Sequence, residues 1–117
     1  MLVNKVDKRV KAGADDVIKY QIVTYCFFNN IKITDSDLEF LKELAKNNGV
    51  DLKELCQQLS DKKIFKTEQS ARNAITKAEK KNLIVKDGSR GKKIYLSDKM
   101  KVQSEGTILL DIKVLSV

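Results

Sequence analysis

A change of hydrophobic period between Thr67 and Leu96 constrains this chain more than anything else in it. The stretch reads TEQSARNAITKAEKKNLIVKDGSRGKKIYL. Ala71, Ala74, Ile75 and Ala78 recur at i, i+3, i+4 and i+7, the spacing of one helix face. At about 100° per residue, Gln69, Asn73, Thr76 and Lys80 fall on the opposite face, with Arg72 on its flank. Thr67 is placed to cap the first turn, since its hydroxyl can accept from an orphan N–H. Asn82 suits a left-handed stop, and Lys80 and Lys81 suit the negative end of the helix dipole. Then the period shortens. Leu83-Ile84-Val85 and Ile94-Tyr95-Leu96 flank Asp87-Gly88-Ser89-Arg90-Gly91, which predicts a Gly-containing hairpin.

The charge is gathered on the same stretch. The 117 residues carry a net charge of +7. Residues 61–101 hold 13 Lys or Arg against 5 Asp or Glu, and the remainder holds 10 against 11. The whole excess, +8 in that segment, therefore lies on the helix, the hairpin and their margins. A basic patch confined in this way is the electrostatic footprint of a polyanion partner. A lysine-rich surface with no partner would give the same total. The coincidence of charge with motif favours nucleic acid.

At this length one domain is expected, with a core that needs neither disulfides nor metals. No apolar run approaches the roughly 18 residues of a membrane span, and the basic start shows no cleavable signal. A soluble protein of the cytoplasm is the expectation.

Met1 to Ala12 is short, basic and weakly periodic, which predicts an extended or weakly ordered arm. Val17 to Phe28 is rich in the residues of strands, but it is too long for a typical strand and has no internal turn. Ile18, Ile22, Tyr25 and Cys26 share one helical face, and Asp15 and Asp16 suit a helix start, so the run is read as a buried helix. Thr34 and Asp37 make a capping box before a helix whose apolar face is Leu38, Leu41, Leu44 and Ala45, widened by Phe40. Asn47-Asn48-Gly49 closes it. Asp51 with Glu54 repeats the box before a short helix faced by Leu52, Leu55, Cys56 and Leu59.

In order, these pieces are "TDSDLEFLKELAKN", "DLKELCQQL", "QSARNAITKAEKKNLI" and "VKDGSRGKKIYLS". Together they resemble the winged helix-turn-helix domains of MarR-like bacterial and phage regulators. The resemblance covers Thr34 to Ser97. It implies a mainly α protein with a small β-hairpin (α+β), in which the helix from Thr67 is the recognition helix and the hairpin is the wing. It departs from the pattern in the link SDKKIFK, Ser60 to Lys66, which is longer than a compact helix-turn-helix allows. Ile64 and Phe65 are expected to pin that link to the core.

The tail keeps another period. Ile108, Leu110, Ile112 and Val114 alternate with Leu109, Asp111, Lys113 and Leu115, as in a strand with one apolar face. Such a strand must pair, either with the hairpin's sheet or with another subunit. The tail is also similar to small proteins of phages that infect Bacteroidetes. The chain thus divides into an arm (residues 1–13), a winged-helix domain (14–97) and a C-terminal strand extension (98–117).

Enzyme chemistry finds no support. Histidine is absent, so the usual general base and the commonest metal ligand are missing. Cys26 and Cys56 lie on apolar helix faces with no CxxC spacing and are read as structural. The Gly88 to Gly91 turn lacks the ending of a phosphate loop. No enzyme, cofactor or metal is expected.

Two readings remain. In the first the chain is a transcriptional regulator bound to double-stranded DNA. Gln69, Arg72, Asn73 and Thr76 face base edges, Ser70, Lys77 and Lys80 hold phosphates, and Arg90, Lys92 and Lys93 reach the backbone from the wing. In the second it is an adaptor subunit of a larger assembly, such as a phage virion, joined to itself or its neighbours by the Ile108, Leu110, Ile112, Val114 strand.

Overall fold

Caps written in the sequence set the helix starts. The computed structural model describes residues 2–10, 13–88 and 92–116, with side chains for 13–88, 92–109, 111 and 113–116. Helix α1 spans Ala14–Phe28, α2 Asp35–Lys46, α3 Leu52–Asp61 and α4 Glu68–Lys80. Thr34 closes the expected box on α2: its hydroxyl accepts from the Asp37 N–H, and the Asp37 carboxylate accepts from the Thr34 N–H, both at 3.1 Å. Asp51 caps α3 by accepting from the Lys53 and Glu54 amides at 3.1 and 3.4 Å. The Thr67 hydroxyl caps α4, accepting from the Ser70 N–H at 3.0 Å. Each such cap contributes about 1 kcal/mol. The stops are equally local. Asn82 ends the α4 turn at φ 60°, in the left-handed region expected of it.

Three strands form an antiparallel sheet in the order β2-β4-β3, with β2 at Val50–Asp51, β3 at Ile84–Asp87 and β4 at Lys93–Leu96. The hairpin expected from the Gly-containing turn supplies β3 and β4, paired from Ile84↔Leu96 to Asp87↔Lys93. Strand β2 is new, because two residues carry no period. It is fixed from outside: the Gly49 N–H donates to the Ile94 carbonyl and the Leu52 N–H to the Lys92 carbonyl, both at 2.8 Å. Gly49 sits at φ 89°, and a Cβ there would stand 3.1 Å from Tyr95 Cε1. Only glycine meets both demands without strain.

The core draws on every helix. Ile18, Ile22 and Cys26 of α1 meet Phe40, Leu41 and Leu44 of α2, Leu55, Cys56 and Leu59 of α3, and Ala71, Ile75 and Ala78 of α4. Leu83, Ile84, Ile94 and Leu96 close it from the sheet. Burying each large side chain contributes roughly 1.5–3 kcal/mol. The long link after α3 is tied down as expected. The Ile64 and Phe65 amides both donate to the Leu59 carbonyl, at 3.0 and 3.3 Å, and the Phe65 ring lies edge-on to Phe40 at 6.5 Å.

Two expectations need correction. The first helix is not buried all round: Phe27 is 76% exposed and Phe28 77%, and Tyr20 and Val23 are exposed beside them. Helix α1 packs on α2 and on the 3₁₀ turn Asp98–Met100, and its buried residues are Val17, Ile18, Ile22 and Cys26. The arm takes the extended of its two expected forms. It forms β1, Leu2–Val10, antiparallel to the terminal strand β5, Ile108–Ser116, in register from Leu2↔Ser116 to Val10↔Ile108. The tail therefore pairs with the arm and not with the hairpin's sheet. In the small sheet β4 already has both edges taken, and β3 is four residues long, whereas β1 matches the nine of β5. The molecule measures 56 × 28 × 26 Å, with a radius of gyration of 16.3 Å.

Candidate nucleic-acid interface

Helix α4 owes its orientation to small residues. Ala71, Ala74, Ile75 and Ala78 are buried, so the helix lies close against the core and turns its other side outward. Gln69, Ser70, Arg72, Asn73, Lys77 and Lys80 are all exposed, and Thr76 is half-buried. Some of these groups are already engaged. Gln69 Nε2 donates to Asn73 Oδ1 at 3.0 Å, a bridge between neighbouring turns that fixes the two amides relative to each other. Thr76 donates to the Arg72 carbonyl at 3.1 Å, which leaves its hydroxyl as an acceptor alone. Ser70 Oγ accepts from the Thr67 hydroxyl at 3.0 Å.

Lys92 and Lys93 are exposed where the hairpin enters β4. Arg90 lies outside the described residues. Val85 and Tyr95 are exposed on the same hairpin, 52% and 37%, and add an apolar patch that sequence reasoning did not assign. Lys81, grouped with Lys80 in the sequence, serves the fold instead: its ammonium donates to the Lys32 carbonyl at 2.7 Å and ties α4 to the α1–α2 loop.

Among the described residues, Arg72, Lys77, Lys80, Lys92 and Lys93 form no ion pair. Lys86 is different, 3.5 Å from the Glu79 carboxylate. So are the lysines of α1 and α2. Lys42 Nζ lies 2.8 Å from Glu39, 3.3 Å from Glu43 and 3.6 Å from Asp15, while Lys46 reaches Asp15 at 3.1 Å and Lys62 reaches Glu43 at 2.7 Å. Lys19 joins the network through Glu39.

The titration of these groups follows. Hydrogen bonds from Lys19 and Lys42 hold the Glu39 carboxyl below its ordinary value. Burial alone would raise Glu43, but hydrogen bonds from Lys62 and Lys42 outweigh it and the net direction is down. Lys46 lowers Asp15 in the same way, and the Glu39 hydrogen bond raises Lys42. Burial pushes both thiols, Cys26 and Cys56, upward.

No protein-family model, curated protein or solved structure matches the chain. The fold is α+β, with four helices and a three-stranded antiparallel sheet beside a separate strand pair among the described residues. No helix of the described residues is long and apolar enough to cross a membrane.

Proposed function

We propose that the protein is a winged-helix DNA-binding protein, with α4 as recognition helix, the β3-β4 hairpin as wing, and regulation of transcription as its role. The order α2-β2-α3-α4-β3-β4 and the strand order β2-β4-β3 support this reading. The observation that carries it is the contrast in charge. Among the described residues, Arg72, Lys77 and Lys80 of α4 and Lys92 and Lys93 of the hairpin are without acidic partners, while the cations of α1 and α2 are paired with carboxylates.

In the complex, Arg72 pairs with guanine and Asn73 or Gln69 with adenine, through the amide groups that their mutual bridge leaves free. Lys77, Lys80, Lys92 and Lys93 hold phosphates and set the register. The test is fluorescence anisotropy on duplex DNA across a salt series. Four lysines on phosphate give a slope of log affinity against log salt of about −3.6, or a loss of about 150-fold between 50 and 200 mM. Absence of binding to any duplex at low salt removes the reading. The adaptor reading draws on a separate observation, the ribbon of β1 and β5, and is compatible with DNA contact.

A further inference from the structure

The two-stranded ribbon is the least self-sufficient part of the molecule. An isolated pair of strands is marginal in water, and the outer edge of β5 meets no other strand among the described residues. Its sequence states what would complete it. When two identical strands pair about a two-fold axis perpendicular to their sheet, facing residues must lie on the same face, so the axis must pass through a residue position. With the axis at Ile112, all nine residues Ile108–Ser116 pair, and Ile108 faces Ser116 at each end. In that register Asp111 faces the partner's Lys113, and Lys113 faces the partner's Asp111. A shift of one residue in either direction sets Asp111 against its own copy or Lys113 against its own copy. Like charges directly opposite are destabilising, and opposite charges are favourable. Full overlap and charge complementarity thus select the same register.

The pairing inside the chain points the same way. The β1–β5 register sets Lys5 across from Lys113 and Asp7 across from Asp111, like against like in both cases. A second β5 supplies the missing opposite charge to each position on its free edge. The sequences of the two strands also fit their places. β1 carries Lys5, Asp7, Lys8 and Arg9, the charged composition that blunts an outer edge, while β5 carries only Asp111 and Lys113. Pairing β1 with itself about Val6 would match Lys5 with Asp7 too, but would oppose Arg9 to Val3 and leave the apolar strand outermost.

We infer that two copies of this chain join along β5, forming a four-stranded antiparallel sheet in the order β1-β5-β5-β1 with its two-fold axis at Ile112. The inference stands apart from the DNA reading. Either can fail alone.

Sedimentation and light scattering of the full chain, from micromolar to millimolar concentration, test it. The unmodified chain dimerises. Asp111→Lys and Lys113→Asp each raise the dimer dissociation constant by about tenfold or more. Each also relieves a like-charge opposition within the chain's own ribbon, so a loss of dimer cannot be ascribed to unfolding of the ribbon. Mixing the two single variants restores a one-to-one dimer, and the double variant D111K/K113D dimerises by itself. Under mild oxidation Ile112→Cys gives a covalent dimer while Val6→Cys does not. The buried Cys26 and Cys56, 2% and 1% exposed, do not compete. A chain monomeric throughout, a dimer indifferent to both reversals, or a crosslink at V6C in place of I112C overturns the inference.

Discussion

The α1–α2 flank and the outer face of α4 hold the same kinds of side chain and put them to opposite use. On the flank, Lys19, Lys42 and Lys46 lie among Asp15, Glu39 and Glu43, and Lys62 reaches in from the end of α3. Lys42 and Glu43 are buried there, 9% and 7% exposed. On α4, Arg72, Lys77 and Lys80 stand in the open and form no ion pair among the described residues. A cation met by a carboxylate inside the fold is neutral to a distant polyanion, whereas an unmet one draws it in. Composition counts both alike, and only the second kind is available to a partner.

The comparison can be broken most forcefully at Glu43. Glu43→Ala removes the partner of Lys62 and one of the three carboxylates around Lys42, which keeps Glu39 at 2.8 Å, and is expected to cost about 1.5–3 kcal/mol of stability in urea unfolding. DNA affinity of the folded variant should be unchanged. A variant as stable as the parent would show that the flank is not structural.

Acid dissolves the same network from all its carboxylates together. Glu39, Glu43 and Asp15 are held below their ordinary values of 4.5, 4.5 and 3.8, so their contribution is complete above those values and is lost as pH falls through the folded ones. Lys42 is raised above 10.5, so its contribution is complete below that value and is lost as pH rises further. The buried thiols of Cys26 and Cys56, held above their ordinary 9.0, add a loss that begins as pH passes that value, so a thermal-melting profile should be flat between about pH 5 and 8 and fall on both sides. A profile that slopes steadily through neutrality would contradict the assignment.

On the other region the substitutions should move binding and leave folding alone. Arg72→Ala or Asn73→Ala is expected to cost about 1–3 kcal/mol of DNA affinity and to relax preference at one base position. Their stability should stay within about 0.5 kcal/mol of the parent. A selection of preferred sequences for each variant checks the first point, and melting checks the second.

The smallest effect sharpens the contrast between reading bases and holding the backbone. Lys92→Ala should weaken all duplexes alike and reduce the salt slope by about one unit. A sequence-dependent loss would move Lys92 from the backbone to a base edge.

Much of the central body was legible because its signals are local. Caps at Thr34, Asp51 and Thr67 act within three residues, the apolar faces repeat within two turns, and Asn82 needs only its own backbone to stop a helix. The α4 face could be drawn from spacing alone, since burial of Ala71, Ala74, Ile75 and Ala78 fixes what points away. Such local signals were enough for the four helices, the hairpin and the segment that carries the basic excess. Tertiary structure decided the rest. Val50 and Asp51 become a strand only because β4 lies beside them, and the basic arm becomes β1 only because β5 returns to it from the far end of the chain. Which lysines the fold engages was likewise invisible, since Lys62 meets Glu43 across 19 positions and Lys81 meets the Lys32 carbonyl across 49. Pairing over such distances costs loop-closure entropy and leaves no period in either partner. It exists only once the core has brought the two segments together.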